Sequence, residues 1–198
     1  MLEATHGDPR ERILAGTLAL VAAGGPEAAS LRRIGAAAGL HNSSLFHYFP
    51  SKRAIHDALA GQVIGRARAH LTPLLAEGPP HLEQLFDGFG DLAEHLAAHP
   101  LEAAYLTQVL AGGGGSWASA HERLVAELLK PVWEWLVRAR DAGEIRRVRP
   151  QPATLQLMGL VLLEPAFAGP PEAGRLRPAS HARRREIEAW LRGALARR

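Results

Sequence analysis

Apolar residues recur along this chain at intervals of three and four, and nowhere do four to eight residues alternate cleanly between apolar and polar. The first pattern is that of an amphipathic helix; the missing one is that of a half-buried strand. The chain is therefore expected to be all-α, with Gly and Pro setting the helix ends. Ile13, Leu14, Thr17, Leu18 and Val21 form one stripe, closed by Gly24-Gly25-Pro26. Ser30 offers an N-cap oxygen to a short helix holding Leu31, Ile34 and Ala38, which ends at Gly39. A segment from Asn42 to Tyr48 is stopped by Pro50. Ser51 caps a helix that opens at Lys52, carries Ile55, Leu59, Val63 and Ile64, and meets Pro73. Further helical stretches span 80–98, 101–111, 116–142, 151–168 and 179–197. Pro131 should kink the third of these, and Gly88 and Gly90 weaken the first. The total is about nine helices and no sheet.

Composition narrows the class. Of 198 residues, 47% are hydrophobic and 22% charged, the balance of a soluble globular chain. No apolar run approaches the ~20 residues of a membrane helix, and MLEATHGDPRER lacks the apolar centre of a secretory signal. The chain has no cysteine, which removes disulfide and thiolate chemistry and suits a reducing cytoplasm. Net charge is only +3, but it is unevenly placed. Residues 1–68 carry eight Lys/Arg and five Asp/Glu, whereas residues 69–198 carry fifteen of each. Within 30–68 there are six basic residues against one acid, Asp57. A basic head on a neutral body is the electrostatic layout of a nucleic-acid binder.

The most informative stretch is Ser30–Lys52, SLRRIGAAAGLHNSSLFHYFPSK. It reads as two short helices joined by a tight turn, in which Gly39 supplies a positive φ. Leu31, Ile34, Ala38, Leu40 and Leu45 give the pair a small shared core, and Ala36 and Ala37 keep the crossing close. The second helix opens on Asn42, Ser43 and Ser44, short polar side chains where a recognition helix meets the major groove.

This stretch, with the preceding helix Ile13–Ala23 and the exit through Ile55 and Leu59, resembles the DNA-binding head of the TetR (tetracycline-repressor-like) family. The resemblance implies a helix-turn-helix head over residues 1–55 and a helical ligand-binding and dimerisation body over 56–198. It implies that Arg32 reaches a base or phosphate, that His41, Asn42, Ser43 and Ser44 face the groove, and that Asn42 hydrogen-bonds a base. Phe46 stands where the family usually has tyrosine; it keeps a contact to a thymine methyl or sugar but loses a phosphate hydrogen bond. His47 and Tyr48 are implied phosphate contacts, and Lys52 donates to a phosphate at the N-terminus of its helix. Leu45 and Phe49 belong to the core. His41 departs from the small polar residue common there.

For the body, the resemblance implies a homodimer built by the last two helices, two heads reading a palindromic operator, and a small-molecule effector. Interface candidates are Leu157, Leu160, Val161 and Glu164 on 151–168, and Ile187, Trp190, Leu191 and Leu195 on 179–197. The bland reading is that both helices complete the protomer's own core. Pocket candidates are Phe86, Phe89, His95, Tyr105, Gln108, Trp117, Trp133 and Trp135, aromatics with a few polar handles that suit a largely apolar ligand.

The competing function is a helical metal sensor or enzyme with an incidental basic head. His95 and His99 have the i,i+4 spacing of a two-histidine metal pair. No GxSxG, HExxH or Gly-rich phosphate loop is present, and Gly112–Gly115 lacks the Lys-Ser/Thr and preceding strand of a P-loop. The reading is of a regulator without metal, cofactor or catalytic residue.

Overall fold

The computed structural model describes residues 8–112, 115–167 and 180–196. Asp8 caps α1 (Pro9–Gly24) by accepting the Arg10 N–H at 3.0 Å, with Pro9 in the first turn, where its missing N–H costs nothing. Ser30 Oγ accepts from the Arg33 amide at 3.3 Å to start α2 (Leu31–Ala38). Gly39 ends it in the left-handed region, φ 66°, and the Leu40 N–H folds back to the Gly35 carbonyl at 2.8 Å. After α3 (Asn42–Tyr48), Ser51 Oγ takes the Ala54 amide at 3.1 Å and opens α4 (Lys52–His70). The starts of α2 and α4 and the end of α2 fall where Ser30, Ser51 and Gly39 stand in the sequence.

Ile13, Val21, Ile34, Leu45, Ile55 and Leu59 are wholly buried and form the core shared by these four helices. α1 and α2 pack tightly at Gly16, where an added Cβ would lie 2.9 Å from the Ala37 Cβ. α4 runs unbroken across residues 55 and 56, where the head was expected to give way to the body. It ends at His70, before Pro73, which sits in a single tight turn over Thr72–Leu75 rather than kinking the helix.

The body follows as α5 (Leu82–Ala98), α6 (Pro100–Gly112), α7 (Ala118–Leu124), α8 (Lys130–Asp141), α9 (Pro150–Phe167) and α10 (Ser180–Leu195). The described residues contain no strand. α5 packs chiefly on α10 and also on α9; α6 packs between α9 and α1. Gly88 and Gly90 do not weaken α5; they make room for neighbours. A Cβ on Gly88 would meet Leu74 Cδ1 at 2.7 Å, and one on Gly90 would meet the Arg184 stem at 2.9 Å. The expected single helix over 116–142 is two α-helices joined by a π-type turn at Val125–Leu129. Pro131 has no N–H to donate, and its ring would collide with the carbonyl four residues back. A locally wider helix accommodates both problems. The buried core runs through the body from Leu71 to Leu195, with Phe89, Tyr105 and Trp135 its largest members.

Candidate nucleic-acid interface

α3 carries one fully buried side chain, Leu45, and packs Tyr48 partly against the core. Asn42, Ser43, Phe46 and His47 are exposed, and Ser44 and Tyr48 are half-buried. Phe46 is 53% exposed. A phenyl ring this open to water, on the helix that opens with three small polar residues, suits contact with a groove. Arg32 and Arg33 are exposed at the start of α2.

His41 does not lie within α3; it is the residue before it, and its Nδ1 faces the Ser43 Oγ at 2.9 Å. The imidazole therefore does the capping that a small polar residue usually does, which fixes Ser43 as well. Asn42 leans back towards α2, its Oδ1 3.0 Å from where a Cβ on Gly35 would be. Gly35 is also where the Leu40 carbonyl comes within 2.8 Å of that absent Cβ. The turn between the two helices is thus closed over a glycine that sequence reasoning passed by in favour of Gly39.

A second group was missed. Arg10, on α1, donates from Nη1 to the Tyr48 carbonyl at 2.6 Å and places its guanidinium 4.3 Å from the Phe49 ring centre. It ties the end of α3 to α1 and satisfies a carbonyl left free at a helix C-terminus. Lys52 is only half-exposed, with Nζ 3.5 Å from the Pro26 carbonyl, a long contact that leaves its donors largely unused.

The expected pocket residues do not converge. Tyr105 and Trp117 meet edge-on, with ring centres 5.7 Å apart, and line one cleft of about 340 Å³ with the start of α4. Phe86 and Phe89 lie in the core of α5, and Arg192 of α10 stacks 4.3 Å over the Phe86 ring. Gln108 donates to the Ala22 carbonyl at 2.9 Å, binding α6 to the end of α1. Trp135 is wholly buried and donates to Gln84 Oε1 at 2.9 Å; Trp133 is on the outer side of α8, 37% exposed.

His95 has a different employment. Its Nε2 is 2.9 Å from Glu102 Oε2, and the other carboxylate oxygen accepts from Arg66 of α4 at 2.8 Å. His95 stacks on His99 at 4.3 Å and lies 4.7 Å from His70. Burial pushes the Glu102 carboxyl upward, but the His95 hydrogen bond and the Arg66 charge outweigh it and hold it below its ordinary value. His99 Nδ1 caps its own helix at the His95 carbonyl, 2.8 Å away. The i,i+4 pair therefore serves a network that joins α4, α5 and α6.

The interface candidates divide. Leu157, Val161, Ile187, Leu191 and Leu195 are buried in the protomer's own core, the reading that the sequence weighed as the bland one. Leu160 is half-buried and Trp190 is 44% exposed. The side chain of Glu164 lies outside the described residues. Leu155 and Leu163, not singled out from the sequence, are 52% and 48% exposed on α9. Arg184 fixes α10 to α5 through Asp87 at 2.8 Å and through Asp91, with Glu188 of its own helix at 2.9 Å.

A three-helix head with an outward-facing second helix of the turn, continued by a long helix into an all-α body, is the architecture of a helix-turn-helix DNA-binding head on a helical body. Residues 13–59 match the family model described as bacterial regulatory proteins, tetR family. That segment is a TetR-type DNA-binding head, and the chain as a whole shares its fold with solved regulators. Among solved structures it is similar to the ketosteroid transcriptional regulator KstR2 of Mycobacterium tuberculosis, with TM-score 0.74 and 19% identity over 97% of each chain. AibR in complex with isovaleryl coenzyme A and operator DNA gives TM-score 0.70 and 18% identity, covering 92% of this chain and 97% of that one. FadR from Bacillus subtilis, in complex with stearoyl-CoA, gives 0.67 and 16%, covering 91% and 96%. No curated protein matches the sequence. No described helix is long and apolar enough to cross a membrane.

Proposed function

We propose that the chain is a cytoplasmic, dimeric repressor that leaves a palindromic operator when a small molecule occupies its body. The observation that carries the DNA half is α3, with its exposed Asn42, Ser43, Phe46 and His47 beside Arg32. Two heads held by a dimer read two half-sites about 34–36 Å apart, which one head of this size does not. Support for the dimer is the apolar surface of α9 and α10 around Leu155, Leu163 and Trp190. Support for a small effector comes from AibR and FadR, which were solved with coenzyme A thioesters. The reading assigns binding roles to the chain and no reaction.

α4 is the mechanical link. It begins beside the recognition helix at Lys52 and ends among the body's buried network at Arg66 and His70. An effector that binds one orientation of α4 better than another shifts the distance between heads, and it does so only by that difference in affinity. The test is a mobility shift on duplex DNA across a salt series. Asn42→Ala is expected to flatten the preference between sequences. Lys52→Ala should weaken all sequences alike and reduce the slope of log K on log salt by about 0.9. Absence of DNA binding even at low salt overturns the reading, and equal loss of preference in both variants overturns the division of roles.

A further inference from the structure

The cleft shared by Tyr105 and Trp117 lies where head meets body, and its polar groups are out of balance. The acid on its wall, Asp57, and the nearby Glu27 already have donors. Asp57 accepts from Ser119 Oγ at 3.1 Å and pairs with Arg53 at 3.6 Å, and Glu27 accepts from Ser116 Oγ at 2.8 Å. The donors on the cleft wall are not used in return. Lys52 Nζ has only its 3.5 Å contact with the Pro26 carbonyl, and the buried Nε2 of His56 has no hydrogen-bond partner among the described residues. Lys52 and His56 are one turn apart on α4, so both project from the same face. A buried polar atom without a partner is costly, and one beside a spare ammonium in a cleft calls for an acceptor, most economically an anion.

Beside the polar Arg53, Asp57, Ser116 and Ser119, the wall carries an apolar part built by Pro26, Tyr105, Trp117, Ala118 and Ala120. The Trp117 indole stands edge-on to Tyr105 and lies over Gly112, where a Cβ would come within 2.5 Å of the ring. Burial holds the Tyr105 phenol well above its ordinary range, so it stays a neutral donor, and burial with the Lys52 charge keeps His56 neutral at physiological pH. A volume of about 340 Å³ is at the small end of ligand sites. It is separate from the buried α5 positions Phe86 and Phe89.

We propose that this cleft binds a compact aromatic carboxylate, with the carboxylate on Lys52 Nζ and His56 Nε2 and the ring against Trp117. The regulatory consequence rests on the reading of Lys52 as a phosphate contact. A ligand that takes the ammonium withdraws it from DNA, and by linkage DNA weakens the ligand by the same factor.

The experiment is calorimetric titration of the full chain, without DNA, using 2-naphthoate and its uncharged analogue 2-naphthamide. Naphthoate is expected to bind about tenfold or more tightly than naphthamide, the scale of one charge-assisted hydrogen bond. Lys52→Gln should bring the two ligands to the same affinity. Trp117→Ala should weaken both by about tenfold, while Trp133→Ala, on the far side of α8, should leave both unchanged. Where Trp117→Ala fails to fold, the Lys52→Gln result decides. Equal affinity for the two ligands in the parent protein overturns the proposal, as does selectivity that survives Lys52→Gln. A chain that binds DNA but ignores naphthoate loses the cleft alone; one that binds naphthoate but never DNA loses the regulator reading alone.

Discussion

Replacing Glu102 by leucine cuts the link between α4 and the body at a buried charge, and its cost can be worked from exposure. The carboxylate is 6% exposed, His95 12% and Arg66 41%. In Glu102→Leu the guanidinium, already part-hydrated, returns to water at a cost of about 0–1 kcal/mol. The imidazole cannot do so. A buried polar group stripped of its partner costs about 1–3 kcal/mol. The sum is a loss of about 1–4 kcal/mol, which for a chain of this length lowers Tm by roughly 2–16 °C. Thermal unfolding followed by circular dichroism at fixed protein concentration measures it, since dissociation of a dimer would otherwise enter.

The pH dependence separates this mechanism from simple repacking. Because the folded pKa of Glu102 is held down, its contribution is present above about 4.5 and disappears as pH falls through the folded value. The gap between parent and Glu102→Leu should therefore close in acid. His56 and His70 act higher on the scale. Burial, joined by Lys52 and by His95 respectively, holds both below the ordinary 6.5. The unfolded chain accepts protons that the folded one refuses, so stability is full above 6.5 and declines as pH drops below it, in parent and variant alike. A Glu102→Leu protein as stable as the parent at pH 7, or a gap that persists unchanged at acid pH, would refute the reasoning. It would mean that desolvating the ion pair had cost as much as the pair returned.

Two contrasts test the packing. Trp190→Glu, on the exposed side of α10, should give monomers in sedimentation with little change in unfolding, whereas Leu191→Ala, wholly buried one residue on, should cost about 2–5 kcal/mol; a Trp190→Glu protein that stays dimeric removes α10 from the interface. Gly35→Ala should cost about 1–3 kcal/mol, because the Leu40 carbonyl and Asn42 must both give way. The same variant should lose DNA affinity beyond its loss of stability, and full retention of binding in the mobility shift would show that Asn42 is not placed by this turn.

The head was legible because its rules are local. Ser30, Gly39 and Ser51 each act within four residues of themselves, so the chain announces those ends without reference to anything distant. Leu45 was expected in the core shared by the two short helices and Phe49 from the family resemblance, and both are buried. Capping by His41 and the Arg10 clamp were not legible, since neither residue type marks its role and the clamp spans 38 positions.

In the body, α9 is apolar around most of its circumference, and such a helix gives no sign of which face turns inward. Leu157 and Val161 look no different in sequence from Leu155 and Leu163, yet they face opposite ways. The aromatic residues had the chemistry of a pocket but were dispersed by tertiary packing. Glycines in α5 read as helix breakers for the same reason: the neighbours that need the space, Leu74 and Arg184, come from distant parts of the chain.

The way the body holds the head has a consequence for how such a protein diversifies. Gln108 of the body grips the carbonyl of Ala22, and within the head Lys52 rests on that of Pro26 and Arg10 holds that of Tyr48. Every one of these acceptors is main chain, present whatever side chain occupies the position. The exposed face of α3 can therefore exchange Asn42, Ser43 or Phe46 for other readers while the couplings that orient it persist. A change of operator and a change of signal are, in this architecture, separable mutations.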